Sequence, residues 1–311
     1  MAELVLEKWS GAVNTVTIGA LKAEGGTRQN TIKIGGEKSM PYLFAEAELP
    51  CKPVVAFEVW DREPLDWQED LVKAYGSALK DPLDWAEKCV KDFQAEILCV
   101  KLLAAHPDFG NKSPEEETKF IQQLLKRVSI PLIITGCGDD DKDNLVMPAC
   151  SQAAKGERCL FGSAVQDNYK TLAACVLADG AGIIAESPID INIAKQLNIL
   201  ISDMGLPLER IVINPTIGAL GYGLEYAYSI MERCRLAALS GDKTVASPFI
   251  CFVGQEAWRA KEAKTGSKEQ GISWEITTAA ALLQAGADIL VMRHPVAVEK
   301  VTSYISELYK N

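Results

Sequence analysis

Residues that could do chemistry follow eight short apolar runs of this 311-residue chain. They are Glu58 and Asp61; His106; Gly136, Gly138 and the aspartates at 139–141; Ser163, Gln166 and Asp167; Glu186; Asn214 and Thr216; Gln255 and Glu256; and Arg293 and His294. These groups can hydrogen-bond a ligand, but they include no evident nucleophile and no acid–base dyad. We therefore expect a surface that holds or covers a cofactor, and we assign no catalytic residue.

The sequence argues against a metal centre built by this chain alone. It has two histidines, His106 and His294, and no H-x-H or H-E-x-x-H pattern. Its nine cysteines include no C-x-x-C pair, so an iron–sulfur cluster would have to lie on another chain. Most of the cysteines lie in apolar runs, as Cys99 does, and we expect them to be small buried hydrophobic residues.

Three further features have competing interpretations. Lys101 is the only lysine within or at the end of a predicted strand, where Schiff-base enzymes place theirs, but we expect it to form an ion pair inside or below the barrel. The glycines at 218–223 could receive a phosphate or an amide tail on their backbone N–H groups, or could simply make a tight turn. The aspartates at 139–141 are interpreted as a solvated loop rather than a cation site.

The apolar runs themselves predict the elements that position these residues. They cover 53–59, 96–102, 131–135, 158–162, 182–185, 211–213, 248–253 and 288–292, and they are continuously apolar rather than alternating. Such runs are typical of parallel strands covered on both faces. Helical segments lie between them, with Ser113 and Asp190 as predicted N-caps and Ser273 as a third helix start. Eight alternations predict an α/β protein with a (β/α)8 TIM barrel, and a doubly wound open sheet is the alternative.

Residues 1–52 precede the first predicted barrel strand. Two short strands at 16–19 and 31–34, with glycines between them, predict a β-hairpin that plugs the bottom of the barrel. We therefore divide the chain into an N-terminal extension, 1–52, and a TIM barrel, 53–311.

Charge and hydropathy argue against two kinds of partner, nucleic acid and the membrane. The chain has 32 basic and 42 acidic residues, a net charge of −10, which argues against nucleic acid as a partner. No apolar run is long enough to cross a bilayer, and the first residues do not resemble a signal peptide. We expect a cytoplasmic protein without a membrane partner.

Barrel enzymes carry their chemistry in the loops that follow the strands. This geometry selects a candidate cofactor-binding set among the polar and glycine residues named above: Gly136, Gly138, Ser163, Gln166, Glu186, Asn214, Arg293 and His294. We expect these residues to face one another around the mouth of the barrel.

Several stretches of the chain resemble a known family. The blocks SPIDINIAKQLN at 187–198 and GALGYGLEY at 218–226 are the most specific, and 35–37, 81–86, 136–138 and 167–170 also match. Together they resemble the small subunit of the corrinoid/iron–sulfur protein, the delta subunit of the acetyl-CoA decarbonylase/synthase complex. The resemblance covers essentially the whole chain.

The resemblance implies an obligate heterodimer with a large subunit that carries a cobamide and a [4Fe–4S] cluster. The pair would carry a methyl group from methyltetrahydrofolate, or a methanogen pterin, to acetyl-CoA synthase in the reductive acetyl-CoA (Wood–Ljungdahl) pathway of carbon dioxide fixation. Its further partners would be the methyltetrahydrofolate corrinoid methyltransferase and the acetyl-CoA synthase/CO dehydrogenase. The barrel would cover the cobamide, and we expect a neutral cavity that excludes water there.

A second likeness provides an alternative function. Residues 205–215 are similar to the sixth-strand segment of pterin-binding corrinoid methyltransferases. The places of that family's three pterin-binding side chains are taken here by Gly136, Gly162 and Asn214, and a glycine side chain cannot accept a hydrogen bond. We favour a non-catalytic cover, and the alternative is a pterin-dependent methyltransferase that methylates the corrinoid itself.

Overall fold

Eight parallel strands form a single curved sheet in the computed structural model, which describes residues 5–310. A separate two-stranded sheet precedes it. The strands are β1 (Thr15–Ile18), β2 (Ile32–Gly35), β3 (Val54–Trp60), β4 (Leu98–Lys101), β5 (Leu132–Thr135), β6 (Leu160–Ala164), β7 (Gly182–Glu186), β8 (Ile211–Asn214), β9 (Ile250–Cys251) and β10 (Ile289–Met292). All eight predicted barrel strands are confirmed, with ends that differ from the predicted ones by at most two residues.

The large sheet closes into a barrel. Its strand order is β8-β7-β6-β5-β4-β3-β10-β9, and every neighbouring pair is parallel. A parallel bridge between Ile213 and Phe249 joins the two edges, and the Ile213 N–H donates to the Pro248 carbonyl over 2.9 Å. The predicted α/β TIM barrel is therefore confirmed, and the open doubly wound sheet is excluded.

Helices follow the barrel strands and cover the outside of the sheet. They are α1 (Glu69–Tyr75), α2 (Pro82–Lys91), α3 (Pro114–Arg127), α4 (Asp140–Ala153), α5 (Tyr169–Asp179), α6 (Ile191–Asp203), α7 (Leu224–Leu239), α8 (Val253–Ala257), α9 (Lys261–Thr265), α10 (Lys268–Gln284) and α11 (Pro295–Leu308). None of the helices within residues 5–310 is long and apolar enough to cross a membrane.

Local side-chain chemistry sets two of these helix starts as predicted. Ser113 and Glu116 form a reciprocal capping box on α3, and the Asp190 carboxylate accepts the Asn192 N–H over 2.7 Å at the start of α6. The predicted start at Ser273 is wrong, because α10 begins five residues earlier at Lys268. The first turn is hard to recognise in the sequence because it contains Gly271, and glycine disfavours helices. A Cβ at Gly271 would lie 2.5 Å from the Trp258 ring, so a glycine is needed there for close packing.

Alternate residues of each strand point into the barrel, where they form a buried apolar cluster. The hairpin of β1 and β2 is antiparallel, and its Val16, Ile18 and Ile34 belong to that same cluster. Their neighbours include Val54 and Ile289, which lie at the amino ends of their strands. The hairpin therefore closes the amino-terminal end of the barrel. The division into domains at residue 52 stays a prediction.

A buried ion cluster ties the N-terminal segment to the barrel. Arg235 on α7 donates to Glu37 over 2.7 Å and to Asp288 over 3.3 Å, and all three side chains are almost completely buried. Asp288 also accepts the Phe249 N–H over 2.7 Å. Burial and the nearby Glu37 charge raise the pKa of Asp288, so the arginine is needed to hold both carboxyl groups inside the protein.

Candidate functional site

A cavity of about 390 Å³ opens between the carboxyl ends of the barrel strands. Most of its lining residues end a strand or begin the loop that follows one. They are Glu58, Cys99, Lys101, Thr135, Gly136, Gly138, Asp140, Asp143, Ser163, Val165, Glu186, Asn214, Thr216, Ile217, Phe252, Gln255 and Glu256. This is the end of the barrel at which the sequence places the candidate site.

Five of the eight predicted cofactor-binding residues line this cavity, namely Gly136, Gly138, Ser163, Glu186 and Asn214. The other three do not. Gln166 is exposed in the loop after β6, whereas Arg293 and His294 are buried beside the cavity, at 7% and 6% exposure. Cofactor contact by any of the eight stays a prediction.

Asn214 and Glu186 form the polar pair at the ends of β8 and β7. The Asn214 amide donates to Glu186 Oε2 over 3.0 Å, and its Oδ1 accepts the Thr216 N–H over 3.1 Å. Because the backbone fixes the amide oxygen, the amide nitrogen is directed towards Glu186. Adjacent parallel strands place the two residues side by side.

Gly136 is glycine because a carboxylate occupies the space of its side chain. A Cβ at Gly136 would lie 2.2 Å from Asp143 Oδ2. The two oxygens of Asp143 accept the Cys137 N–H over 2.8 Å and the Gly138 N–H over 3.1 Å. Asp143 thus places a carboxylate where a side chain of residue 136 would lie, and each of its oxygens holds a backbone N–H. The sequence analysis did not single out Asp143, which lies on α4, four residues beyond the aspartate that caps it.

Arg293 is held in a two-point ion pair with Glu58. Arg293 Nε and Nη2 each donate to one Glu58 oxygen over 2.9 Å, and Trp60 Nε1 donates to the same carboxylate over 2.6 Å. The guanidinium also lies 5.2 Å from the ring centroids of Trp60 and Trp67. Although burial alone would raise it, the charge and hydrogen bonds of Arg293 lower the pKa of Glu58. The charge of Arg293 therefore neutralises Glu58, one of the carboxylates that line the cavity.

His294 has a structural role in this site. Its Nδ1 accepts the Val296 N–H over 3.2 Å and caps α11, while its ring stacks on Trp258. Glu275 on α10 accepts the backbone N–H groups of Arg293 and His294, over 2.6 and 3.1 Å, and the Trp258 Nε1–H over 2.9 Å. Burial raises the pKa of Glu275 to about 7 and lowers the pKa of His294. Sequence reasoning missed Glu275 because it follows no strand.

Lys101 faces the cavity and does not form the predicted ion pair. Its Nζ donates to Gln255 Oε1 over 3.2 Å, and no carboxylate oxygen within residues 5–310 lies within 4 Å of it. Glu58, a carboxylate that lines the same cavity, is paired with Arg293 instead. Lys101 is therefore a cation bonded to a neutral amide at the wall of the cavity.

The expectation that the cavity is neutral is wrong. Five carboxylates line it, from Glu58, Asp140, Asp143, Glu186 and Glu256, against one lysine, Lys101. Arg293 compensates the first and Arg259 contacts the last over 3.0 Å. Burial, together with Asp143 and Asp167, raises the pKa of Asp140, which is the response expected where negative charges lie close together.

Around the cavity, large apolar side chains are exposed to solvent. We call this set the apolar rim, and its members are Leu65, Phe109, Leu145, Ile189, Tyr222, Tyr226 and Val296, exposed by 41% to 77%. Each lies in a loop that follows a barrel strand or in the first two turns of the helix after it. Apolar side chains gathered around one opening mark a surface for interaction.

Backbone strain is concentrated in the same loops. Ile189 and Thr216, both β-branched, have φ angles of 50° and 55°, in the left-handed region that such residues avoid. The Ile189 N–H donates to the Pro215 carbonyl over 3.1 Å, so the loops after β7 and β8 hold one another. Strain of this kind clusters at functional loops and is retained where the surrounding structure enforces it.

The glycine-rich segment after β8 makes a tight turn. A Cβ at Gly218 would lie 2.2 Å from the Tyr222 carbonyl oxygen, and the Leu220 N–H donates to Thr278 Oγ1 over 3.3 Å. The turn presents the Tyr222 hydroxyl to Glu262 over 2.9 Å. Close packing accounts for this glycine, and binding of a phosphate or amide tail stays a prediction.

Solved structures with the same architecture define the class of barrel. Dihydropteroate synthase from Xanthomonas albilineans with 4-aminobenzoic acid is similar to this chain with a TM-score of 0.60 and 14% identity, over 84% of this chain and 94% of that one. Dihydropteroate synthase from Thermus thermophilus gives 0.58 and 11%, over 85% and 96%. At such identities the likeness establishes the fold alone. The protein is an α/β barrel of the dihydropteroate synthase type.

Sequence relatives establish the family. Residues 15–307 match the CO dehydrogenase/acetyl-CoA synthase delta subunit family. Acetyl-CoA decarbonylase/synthase complex subunit delta from Methanocaldococcus jannaschii is 35% identical over 301 residues, covering 94% of this chain and 73% of that protein. The Archaeoglobus fulgidus subunit delta is 36% identical over 310 residues, covering 94% and 67%. The chain belongs to this family of delta subunits, which confirms the resemblance found in its sequence.

Proposed function

We propose that this protein is the small subunit of a heterodimeric corrinoid/iron–sulfur methyl carrier and that its barrel covers the cobamide held by the large subunit. The observation that carries this proposal is the apolar rim around a polar cavity. A broad, flat macrocycle with amide side chains would find apolar contacts at the rim and hydrogen-bonding partners inside it.

The side chains of residues 5–310 fit a covering role better than the role of ligands to the metal. Both histidines use Nδ1 to accept a backbone N–H, His106 from Asp108 over 3.1 Å and His294 from Val296 over 3.2 Å. Within residues 5–310, no group of three His, Cys, Asp or Glu side chains is arranged to hold a metal ion. When bound, the cobamide supplies the cobalt that carries the methyl group. The part of this chain is to exclude water and to hold the macrocycle.

The residues that would contact polar substituents of the cofactor are Asn214, Glu186, Ser163 and Lys101. Asn214 and Lys101 bring N–H donors, and Glu186 brings a carboxylate with one oxygen not used by Asn214. Such a mixed set suits amide groups, which both donate and accept. The [4Fe–4S] cluster would belong to the large subunit.

A footprint on the assembled heterodimer tests the proposal. Hydrogen exchange is measured on this chain alone and with the cobamide-loaded large subunit. We expect slowed exchange in the loops at 61–68, 103–113 and 187–190 and at the start of α7. If exchange slows only in the N-terminal hairpin and its rate is unchanged in the apolar rim, the covering role is refuted.

A pterin-dependent methyltransferase is the second candidate function. Its support is the carboxylate-lined cavity in a barrel of the dihydropteroate synthase type. The hydrogen bonds from the Cys137 and Gly138 N–H groups to the two Asp143 oxygens weigh against it, because they hold this carboxylate against its own loop. Calorimetric titration with methyltetrahydrofolate separates the two, since micromolar binding is expected only of the methyltransferase.

The proposed partners beyond the large subunit are the corrinoid methyltransferase, which donates the methyl group, and acetyl-CoA synthase/CO dehydrogenase, which receives it. The names of the archaeal relatives, subunits of an acetyl-CoA decarbonylase/synthase complex, support this assignment. All nine cysteines are free thiols, which suits a reducing cytoplasm.

A further inference from the structure

Two buried carboxyl groups share one lysine beneath the loop between β4 and α3. Lys112 Nζ lies 3.5 Å from Asp61 Oδ2 and 3.8 Å from Glu117 Oε1, and both carboxylate side chains are fully buried. Among residues 5–310, no N–H or O–H group donates a hydrogen bond to either oxygen of Glu117. One lysine cannot compensate two buried negative charges at these distances, so a proton shared between the carboxyl groups is the stable arrangement.

The same cluster holds the loop in place. Asp61 Oδ1 accepts the Ala104 N–H over 2.8 Å, and Lys112 Nζ donates to the Asp61 carbonyl over 3.2 Å. The Lys112 N–H in turn donates to the Ala104 carbonyl over 3.0 Å. The two ends of the segment from Ala104 to Lys112 are thus fixed to each other and to Asp61. At its tip lies Phe109, a member of the apolar rim, against Arg62.

We propose that Asp61, Glu117 and Lys112 form a proton-operated latch that holds the loop at 103–113 closed while Glu117 is protonated and releases it when that proton is lost. The protonated Glu117 O–H donates to Asp61, which can then keep the Ala104 N–H and Lys112. Loss of the proton leaves two anions beside one cation, and opening the loop lets water solvate them. The latch controls one sector of the rim.

The charges around Glu117 favour the protonated form. The groups that face it are Asp61 from the loop after β3, Lys112 from the loop after β4, Glu116 from α3, and Cys150 from α4, with Asp143 of α4 beyond it. Burial first and then Asp61 raise the pKa of Glu117 to about 8, against which Lys112 acts only in part. In the open loop Glu117 is solvated and has an ordinary carboxyl pKa.

The sign of the pH dependence follows. Opening releases a proton at every pH between the ordinary carboxyl pKa and about 8. The fraction of open loop therefore rises by up to tenfold for each pH unit in this range and becomes constant above it. The test is hydrogen exchange of residues 103–113 from pH 5.5 to 9, corrected for the intrinsic pH dependence of exchange. The free chain is used, so the outcome does not depend on cobamide binding.

Glu117→Gln keeps a donor for Asp61 but cannot titrate. We expect its loop to have a corrected exchange rate that is constant with pH, while Glu115→Gln, an exposed change on the same helix, retains the wild-type profile. A wild-type loop whose corrected exchange does not change with pH would overturn the proposal, as would a Glu117→Gln loop with the wild-type profile. If Glu117→Gln fails to fold, carbon-13 NMR of labelled wild-type glutamates decides, because the latch requires a buried carboxyl group that titrates near pH 8.

Discussion

Asn214 Nδ2 donates to Glu186 Oε2 over 3.0 Å, so a neutral amide stabilises a carboxylate at the wall of the cavity. The pairing depends on the amide being uncharged. A carboxyl group in its place would face Glu186 as a like charge, and the donor would be lost.

Substitution of Asn214 tests this relationship. Asn214→Ala should lower the free energy of unfolding by about 1–2 kcal/mol, the scale of one buried hydrogen bond, equally at pH 5 and pH 8. Asn214→Asp should cost more at pH 8 than at pH 5, because the raised carboxyl pKa means that stability is lost as the pH rises. Urea unfolding at both pH values is the measurement, and a cost of Asn214→Asp that is the same at both would contradict the argument.

Asn214→Asp should also leave methyl-pterin binding absent. The other two places of pterin-binding side chains are Gly136 and Gly162, and Asp143 is held by backbone N–H groups. Calorimetry with the variant and with wild type is the comparison. Tight binding gained by the variant would mean that the barrel is a pterin site, and the covering role would have to be abandoned.

Breaking the Glu58–Arg293 pair should be costly in a pH-dependent way. Glu58→Gln leaves a buried guanidinium with a neutral partner and should cost about 3–5 kcal/mol at pH 7. The folded-state pKa of Glu58 is below its ordinary value of 4.5, so the wild type loses this stabilisation as the pH falls. The difference between the unfolding free energies of variant and wild type should therefore shrink as the pH falls below 4.5. Curves that stay parallel down to pH 3 would show that the pair contributes little.

Gly136→Ala should be destabilising through Asp143. The new methyl group meets the Asp143 carboxylate, and overpacking of this kind costs about 1–3 kcal/mol. In an Asp143→Ala background the same change should cost clearly less, because the obstructing group is gone. A double-mutant cycle by urea unfolding measures the coupling, and additive costs would mean that the backbone at Gly136 is itself intolerant of a side chain.

Arg235→Met should release the N-terminal hairpin as well as destabilise the chain. It leaves Glu37 and Asp288 buried without a cation, at a cost of about 3–5 kcal/mol. Hydrogen exchange of β1 and β2 should rise more than that of β4 and β5. Arg127→Met, which removes a surface ion pair with Asp84 and Glu87, is the control and should cost less than about 1 kcal/mol.

The rim should form part of an obligate heterodimer interface on the order of 2,000 Å² or more. Leu65→Asp, at a rim side chain exposed by 77%, should weaken association with the large subunit at least tenfold without changing the stability of the free chain. Leu21→Asp, at an exposed position on the N-terminal extension, should leave association unchanged. Analytical ultracentrifugation of both variants decides, and an isolated wild-type chain that carries out methyl transfer unaided would exclude the heterodimer.

The barrel could be predicted from the sequence because a strand that is buried on both faces is apolar along its whole length. Runs such as Ile289–Met292 are apolar throughout, and the capping chemistry of Ser113 and Asp190 is local. The start of α10 could not be predicted in this way. Nothing in the neighbouring sequence explains a glycine in this helix. The explanation is the Trp258 ring, which packs against Gly271 and lies 13 positions earlier in the chain.

The site could be predicted only as far as strand ends determine it. Glu186 and Asn214 follow directly from the positions of β7 and β8. The partner of Arg293 is Glu58, 235 residues away, and the barrel had to close before the two could meet. Glu58 is therefore paired with Arg293, and Lys101, for which an ion pair was predicted, donates to Gln255 instead. Asp143 was missed because only the folded α4 brings its carboxylate against Gly136.

The hairpin at the amino-terminal end of the barrel imposes an order on biosynthesis. Val16, Ile18 and Ile34 leave the ribosome long before Ile250, Ile289 and Val291, which belong to the same buried cluster. For most of translation this apolar surface has no complete binding site, and long-range contacts of this kind form slowly. The nascent chain should therefore need a chaperone, and the need should end when the last strand is released.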